Sequence, residues 1–166
     1  MMHRALMTAM LVLSACQFSK PSVAPPPPAL VAAPVAPTAP AAITAPRALQ
    51  LFDATCGAAL PAFGTIDAAL RTNGITGPNQ TSLTEDVSVR IQDGPADGKT
   101  CAMTFGTTDA APAVLAAFST LGAFKDTPIG TATKYRGRNA IVLYAGESRR
   151  IGTTGYFTIR LLSERS

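Results

Sequence analysis

The sequence predicts an α+β fold: an antiparallel sheet of about five strands with helices packed on one face. From residue 47 onward, helical and alternating patterns follow the order α-α-β-β-α-β-β-β, and short connections favour antiparallel pairing. Hydrophobic residues make up 47% of the 166-residue chain but aromatic residues only 6%, so alanine supplies much of the apolar content. The remaining length suits one domain with a modest core.

Proline and glycine divide the chain into regions. Nine of the 14 prolines fall within residues 21–46, whereas all 13 glycines come later. We therefore expect a leader over 1–15, a tether over 16–46 and a globular domain over 47–166.

The leader has the parts of a secretory signal. Arg4 supplies the positive charge, and the apolar run that follows is too short to span a bilayer. The run ends in Leu13-Ser14-Ala15-Cys16, which resembles the lipobox of bacterial lipoproteins. The resemblance implies cleavage before Cys16, acylation of its thiol and anchoring in a membrane through the lipid. Because Gln17 rather than Asp follows, it also implies the outer membrane, with the domain in the periplasm or on the exterior face.

The segment after Cys16 is composed as a tether. Residues 21–46 contain nine Pro and nine Ala, so they lack the large side chains that a core needs. We expect an extended, disordered spacer close to polyproline II, with an upper reach of roughly 80 Å. The alternative is a proline-rich ligand for another protein.

Helical spacing predicts two helices at the start of the domain. Pro61 ends the first, and Thr65 is expected to cap a short second helix through Leu70, with Gly74 just past its end. The apolar stripe of the first helix consists of Leu49, Phe52, Cys56 and Leu60.

A third helix is predicted after the first two strands. Thr108 or Asp109 is expected to cap it, and Gly122 to stop it. Its apolar stripe is Val114, Leu115, Phe118 and Leu121.

Two alternating runs on either side of a turn-rich segment predict a β-hairpin. The turn is expected within residues 93–98. The core-facing residues are Val87, Val89 and Ile91 in the first strand, and Cys101, Met103 and Phe105 in the second.

The C-terminal third predicts three further strands, near 131–137, 140–146 and 154–163. In the last strand, alternation places one set of side chains in the core and the other on the opposite face. The expected core set is Phe157, Ile159 and Leu161, and the opposite set is Tyr156, Thr158 and Arg160.

Cysteine and histidine usage restricts the chemistry. Two cysteines in a secreted domain favour a disulfide, so we predict a Cys56–Cys101 bond with Cα atoms about 4.4–6.8 Å apart. The one histidine, His3, lies in the leader, so Ser-His-Asp, Cys-His and His-ligated metal sites are excluded from the mature chain. Residues 94–100 look like a phosphate loop, but the first glycine is misplaced and a strand follows. We therefore expect no catalytic residue, no metal and no cofactor.

Positive charge is concentrated at the C-terminal end. Residues 47–130 carry a net charge of −3, whereas residues 131–166 carry +5. Alternation predicts a basic sheet face that could bind an anionic lipid head group, an acidic envelope polymer or an acidic protein, but not nucleic acid behind a lipoprotein signal. The alternative is a solvated outer face. The predicted face comprises Lys134, Arg136, Arg138, Tyr156 and Arg160, with Arg149 and Arg150 at its rim.

These patterns together predict a lipid-anchored cell-envelope lipoprotein with a small, non-catalytic binding or assembly domain. One alternative is an inhibitor or accessory subunit that docks on an envelope enzyme through the basic face. Another is a hydrolase that works with carboxylates, Ser or Tyr and without histidine.

Overall fold

In the computed structural model, residues 38–94, 98–124 and 130–163 are described, and they form a five-stranded antiparallel sheet with α-helices on one face. The predicted α+β class is confirmed, and the main elements follow the predicted order. The leader, Cys16 and most of the tether lie outside the described residues.

The helices are α1 (Ala45–Phe52), α2 (Ile66–Thr72) and α3 (Ala111–Phe118). α1 begins earlier than predicted, because the Thr44 hydroxyl accepts a hydrogen bond from the Arg47 amide at 3.4 Å and Pro46 occupies the first turn. It also ends earlier and continues as a π-helical turn, Asp53–Gly57. None of the helices within the described residues is long and apolar enough to cross a membrane.

The fold begins before residue 47. The Ala41 amide donates to the Thr84 carbonyl at 2.8 Å, and the Asp86 amide donates to the Ala41 carbonyl at 2.7 Å. The Ile43 amide donates to the Gly106 carbonyl at 2.8 Å, and the Ile43 side chain is buried. Residues 41–46, which the sequence assigned to the tether, therefore belong to the domain.

The start of α3 differs from the prediction. Ala110 occupies the N-cap position and makes no side-chain capping bond. The Asp109 carboxylate instead accepts a hydrogen bond from the Ala45 amide at 2.7 Å, so it caps α1. The predicted stripe also contained one error, since the Leu115 side chain is 39% exposed.

The sheet has the strand order β1-β2-β5-β4-β3, and every neighbouring pair is antiparallel. The predicted hairpin is the β1–β2 pair. β4 runs farther than predicted because it stays paired with β5 through two bulges, the first of which contains Gly146 at φ 58°. The strands are β1 (Val87–Asp93), β2 (Lys99–Thr107), β3 (Gly130–Tyr135), β4 (Arg138–Ile151) and β5 (Thr154–Ser163).

The core lies between the helices and one face of the sheet. The Phe105 ring stacks on Phe118 and Phe157, with centroids 5.7 and 5.9 Å away, and Phe52 meets Phe118 edge-on at 6.1 Å. The predicted inward sets on β2 and β5 are buried. Their polar neighbours therefore line the opposite face, called here the open face.

The predicted disulfide is present. Cys56 in the π-helical turn is bonded to Cys101 on β2, with their Cα atoms 5.6 Å apart. Both residues are fully buried, so the bond fastens the end of the first helical segment to the second strand inside the core.

Candidate functional site

The structure divides the basic face that the sequence predicted. β3 ends at Tyr135, and Arg136 lies in the following turn at φ 47°. The Arg136 guanidinium pairs with Asp53, and Arg138 donates to the Gly57 carbonyl at 3.4 Å. Both arginines therefore face the helices, because the turn interrupts the alternation on which the prediction depended.

Asp53 connects this hairpin turn to the end of α1. Its carboxylate accepts hydrogen bonds from the Tyr135 hydroxyl and from the Arg136 guanidinium. Burial, together with the bond to Asp53, raises the pKa of Tyr135 well above its usual value of 10.0. The three side chains form a contact that holds the β3–β4 hairpin on the helical layer.

Ionisation of Tyr135 is expected to weaken the fold in alkaline solution. Because folding raises its pKa, only the unfolded state loses this proton just above pH 10.0, so the free energy of unfolding falls as pH rises. The stabilisation that comes from the raised pKa of Tyr135 is complete below pH 10.0. Above that pH it falls by at most about 1.4 kcal/mol per pH unit. Urea denaturation from about pH 9 to pH 11 should give a shallower fall for Tyr135→Phe than for wild type. Equal falls would contradict the assignment.

Of the other predicted residues, Lys134, Arg149, Tyr156 and Arg160 lie on the open face but are not all together. Arg150 lies on the opposite face, since a Cβ at Gly155 would meet both its guanidinium and the Phe157 ring. Arg160 pairs across to Leu143 on β4, whereas Lys134 on β3 pairs with Asn139, four residues away along β4. This offset corresponds to about 13 Å along the strand. Lys134 is therefore separate from Arg160, and Arg150 is occupied by an ion pair with Glu147 at 2.8 Å.

The open face of β1, β2 and β5 contains a cavity of about 330 Å³, which we call the arginine groove. Arg90 and Arg160 stand on either side of Ala102 in a single row across the three strands. Ala102 carries only a methyl group, so the space between the two long side chains is left open. The residues that line the groove include Arg90, Arg149, Arg160, Ala102, Thr104 and Thr158.

Arg149 reaches the arginine groove from β4. Its guanidinium lies 4.2 Å from the centroid of the Tyr156 ring, and the side chain lines the groove together with Ser88 on β1. Stacking on an aromatic ring orients a guanidinium without using its hydrogen-bond donors. Arg149 is therefore held in place by a contact that leaves its hydrogen-bond donors available to another molecule.

Tyr156 is itself positioned by a carboxylate. Gly106 pairs with Tyr156, and a Cβ at Gly106 would lie 2.4 Å from the Asp86 carboxylate. Only glycine gives the carboxylate this room. Asp86 beside the hydroxyl, together with burial, raises the pKa of Tyr156 above its usual value.

A pair of hydroxyl groups forms part of the groove floor. The Thr104 and Thr158 oxygens are 2.9 Å apart, and one donates to the other. The accepting hydroxyl keeps its own proton, which it can donate to a bound molecule.

The arginine groove continues into a second compartment of about 260 Å³. The two share Ser88, Thr104 and Arg149. The second compartment is lined by Pro40, Tyr156 and the carboxylates of Glu85 and Asp86. The Glu85 carboxylate accepts hydrogen bonds from Arg47 at 2.9 and 3.2 Å.

Within the described part of the chain, the groove arginines form no ion pair. Among the described residues, the ion pairs involve Arg47, Lys99, Arg136 and Arg150, and none involves the three groove arginines. None of the described carboxylates lines this compartment, although Arg149 also borders the second one, where Glu85 and Asp86 lie. Three guanidiniums around a cavity without an acidic partner form a site that attracts anions.

Arg90 is the charged groove residue that the sequence interpretation missed. Its alternation with Val89 and Ile91 already predicted a position on the polar face. What the sequence does not give is the strand order, which places β1 two strands from β5 and so brings Arg90 beside Arg160.

In the described ranges, no group of three His, Cys, Asp or Glu side chains is placed to hold a metal ion. The chain was compared with protein-family models, curated proteins and solved structures, and none of them matches it.

Proposed function

We propose that this chain is a cell-envelope lipoprotein whose domain binds an anionic partner through the arginine groove, without catalysis. The observation that carries this proposal is the cavity on the open face, where three guanidiniums have no acidic partner among the described residues. Buried or paired arginines stabilise a fold, whereas unpaired arginines that converge on a cavity are suited to recognition.

The anchoring part of the proposal rests on the sequence. The lipobox-like motif that ends at Cys16 supports a lipid anchor in the outer membrane, and the Pro/Ala segment supports a spacer. Such a spacer would allow the domain to search a volume of the envelope near the membrane while it remains attached.

The carboxylates nearest the groove also support binding over acid–base chemistry. Arg47 engages Glu85 with two hydrogen bonds, and Asp86 faces the Tyr156 hydroxyl. Both carboxylates therefore make contacts that organise the site.

Capture of envelope components by the intact lipoprotein tests the proposal. Wild type should retain an anionic partner at low salt and release it near 1 M salt. The electrostatic screening length is about 8 Å at physiological ionic strength and only about 3 Å at 1 M. Changing Arg90 and Arg160 together to Glu should abolish capture and leave the folding transition nearly unchanged. A double change of Arg71 and Lys134 to Glu is the matched control, since both are exposed and lie outside the groove.

The same preparations report on the anchor. Cys16→Ser should move the protein from the membrane fraction to the soluble fraction. Full capture by the Arg90/Arg160 variant would contradict the role of the groove. Membrane retention of Cys16→Ser, with unchanged lipid labelling, would contradict the anchor.

A further inference from the structure

We propose that the ligand of the arginine groove is a phosphorylated saccharide, with its phosphate monoester among Arg90, Arg149 and Arg160 and its sugar in the second compartment. This inference rests on the proposed function, since it names the chemical class of the anionic partner.

The number of guanidiniums favours a phosphate over a single carboxylate. A carboxylate offers two oxygens and one negative charge, whereas a phosphate monoester offers three terminal oxygens and carries about −1.5 to −2. Three arginines line the groove, so a carboxylate would leave most of their charge uncompensated. A phosphate has an oxygen for each guanidinium.

The spacing of Arg90 and Arg160 suits one compact anion, and the Arg149 side chain enters the same groove from two rows away. Arg90 and Arg160 are attached to β1 and β5, two strand spacings apart, which is about 10 Å. Both side chains are long enough to lean over Ala102 from opposite sides. The hydroxyl pair of Thr104 and Thr158 lies one row further along and adds a donor for an oxygen of the same group.

The second compartment excludes a continuous polyanion. Glu85 and Asp86 line it, so a polymer with repeated negative charges would meet carboxylates directly beside the arginine groove. An uncharged sugar avoids this repulsion, because its hydroxyls can donate to the carboxylate of Asp86. Pro40 and the Tyr156 ring supply apolar surface in the same compartment.

Titration of the unlipidated full chain, Cys16→Ser, tests both parts of the inference. The probes are glucose 1-phosphate, inorganic phosphate, glucuronate and glucose, and calorimetry or NMR shifts measure binding. Glucose 1-phosphate should bind tightest. Arg90→Gln and Arg160→Gln should each weaken it about tenfold or more, since each removes charge-assisted hydrogen bonds. Lys134→Gln, which changes an exposed cation outside the groove, should have no effect.

Asp86→Asn separates the two compartments, because the asparagine amide oxygen can still accept from the Tyr156 hydroxyl and so keep Arg149 in place. It should weaken glucose 1-phosphate several-fold and leave inorganic phosphate unchanged or tighter, because it removes a nearby negative charge and an acceptor for sugar hydroxyls. Equal weakening of both ligands, or no weakening of glucose 1-phosphate, would overturn the sugar assignment.

Vesicles distinguish the sources of the ligand. Phosphatidylcholine vesicles with monophosphoryl lipid A should retain the domain if the saccharide belongs to a glycolipid. Binding of free glucose 1-phosphate alone would assign a soluble sugar phosphate.

Equal binding of glucuronate, or no binding of any phosphate probe, would overturn the ligand class. If capture from the envelope still depended on Arg90 and Arg160, the proposed function would stand; if that capture were also absent, both proposals would fail.

Discussion

Loss of the Cys56–Cys101 disulfide is expected to lower the free energy of unfolding by about 4 kcal/mol. The bond closes a loop with a sequence separation of 45 residues, which restricts the unfolded chain much more than the folded one. The comparison is best made in the Cys16→Ser background, which has no third thiol, between the parent and a Cys56→Ala/Cys101→Ala variant. Urea denaturation at equilibrium gives the difference.

The control for this measurement is a reducing agent. It should destabilise the parent by a similar amount and leave the double alanine variant unaffected. A loss below about 1 kcal/mol in the variant would mean that the bond constrains little, in conflict with its position between the π-helical turn and β2.

Phe118→Ala is expected to cost about 3–5 kcal/mol, as is usual for removal of a fully buried aromatic ring. The Phe118 ring contacts Phe52 from α1 and Phe105 from β2, so its loss opens a cavity between both layers. Leu115→Ala is the matched control on the same helix, because the Leu115 side chain is 39% exposed and its truncation should cost much less. Similar losses for both variants would contradict the packing described here.

Alternation predicted the strands well because each strand has one buried face. The residues Val89, Met103 and Ile159 are all buried at positions that parity assigned to the core. The same reasoning failed for Arg136, since a side chain in a turn with positive φ no longer follows the parity of the strand before it. Alternation therefore predicts the face that a side chain occupies only within the actual bounds of a strand.

Capping and groove formation depend on contacts between distant segments. Asp109 has the side chain of a cap for α3, but the Ala45 amide, 64 residues away in sequence, is its partner. The arginine groove likewise joins residues from β1, β4 and β5, whose adjacency follows from the strand order and two β-bulges. Local propensity carries no information about either arrangement, so these features could not be read from the sequence.

The way the chain enters the fold determines how the domain would respond to mechanical force. A pull on the segment before Ala41 first loads the hydrogen bonds of Ala41 and Ile43 with their neighbours. If these break, only the residues up to Cys56 can extend, over about 50 Å, before the disulfide transfers tension to β2. Because β2 lies between β1 and β5, the load then reaches the interior of the sheet. Stretching from the N-terminal side would thus give a short, defined extension, followed by a mechanically resistant core.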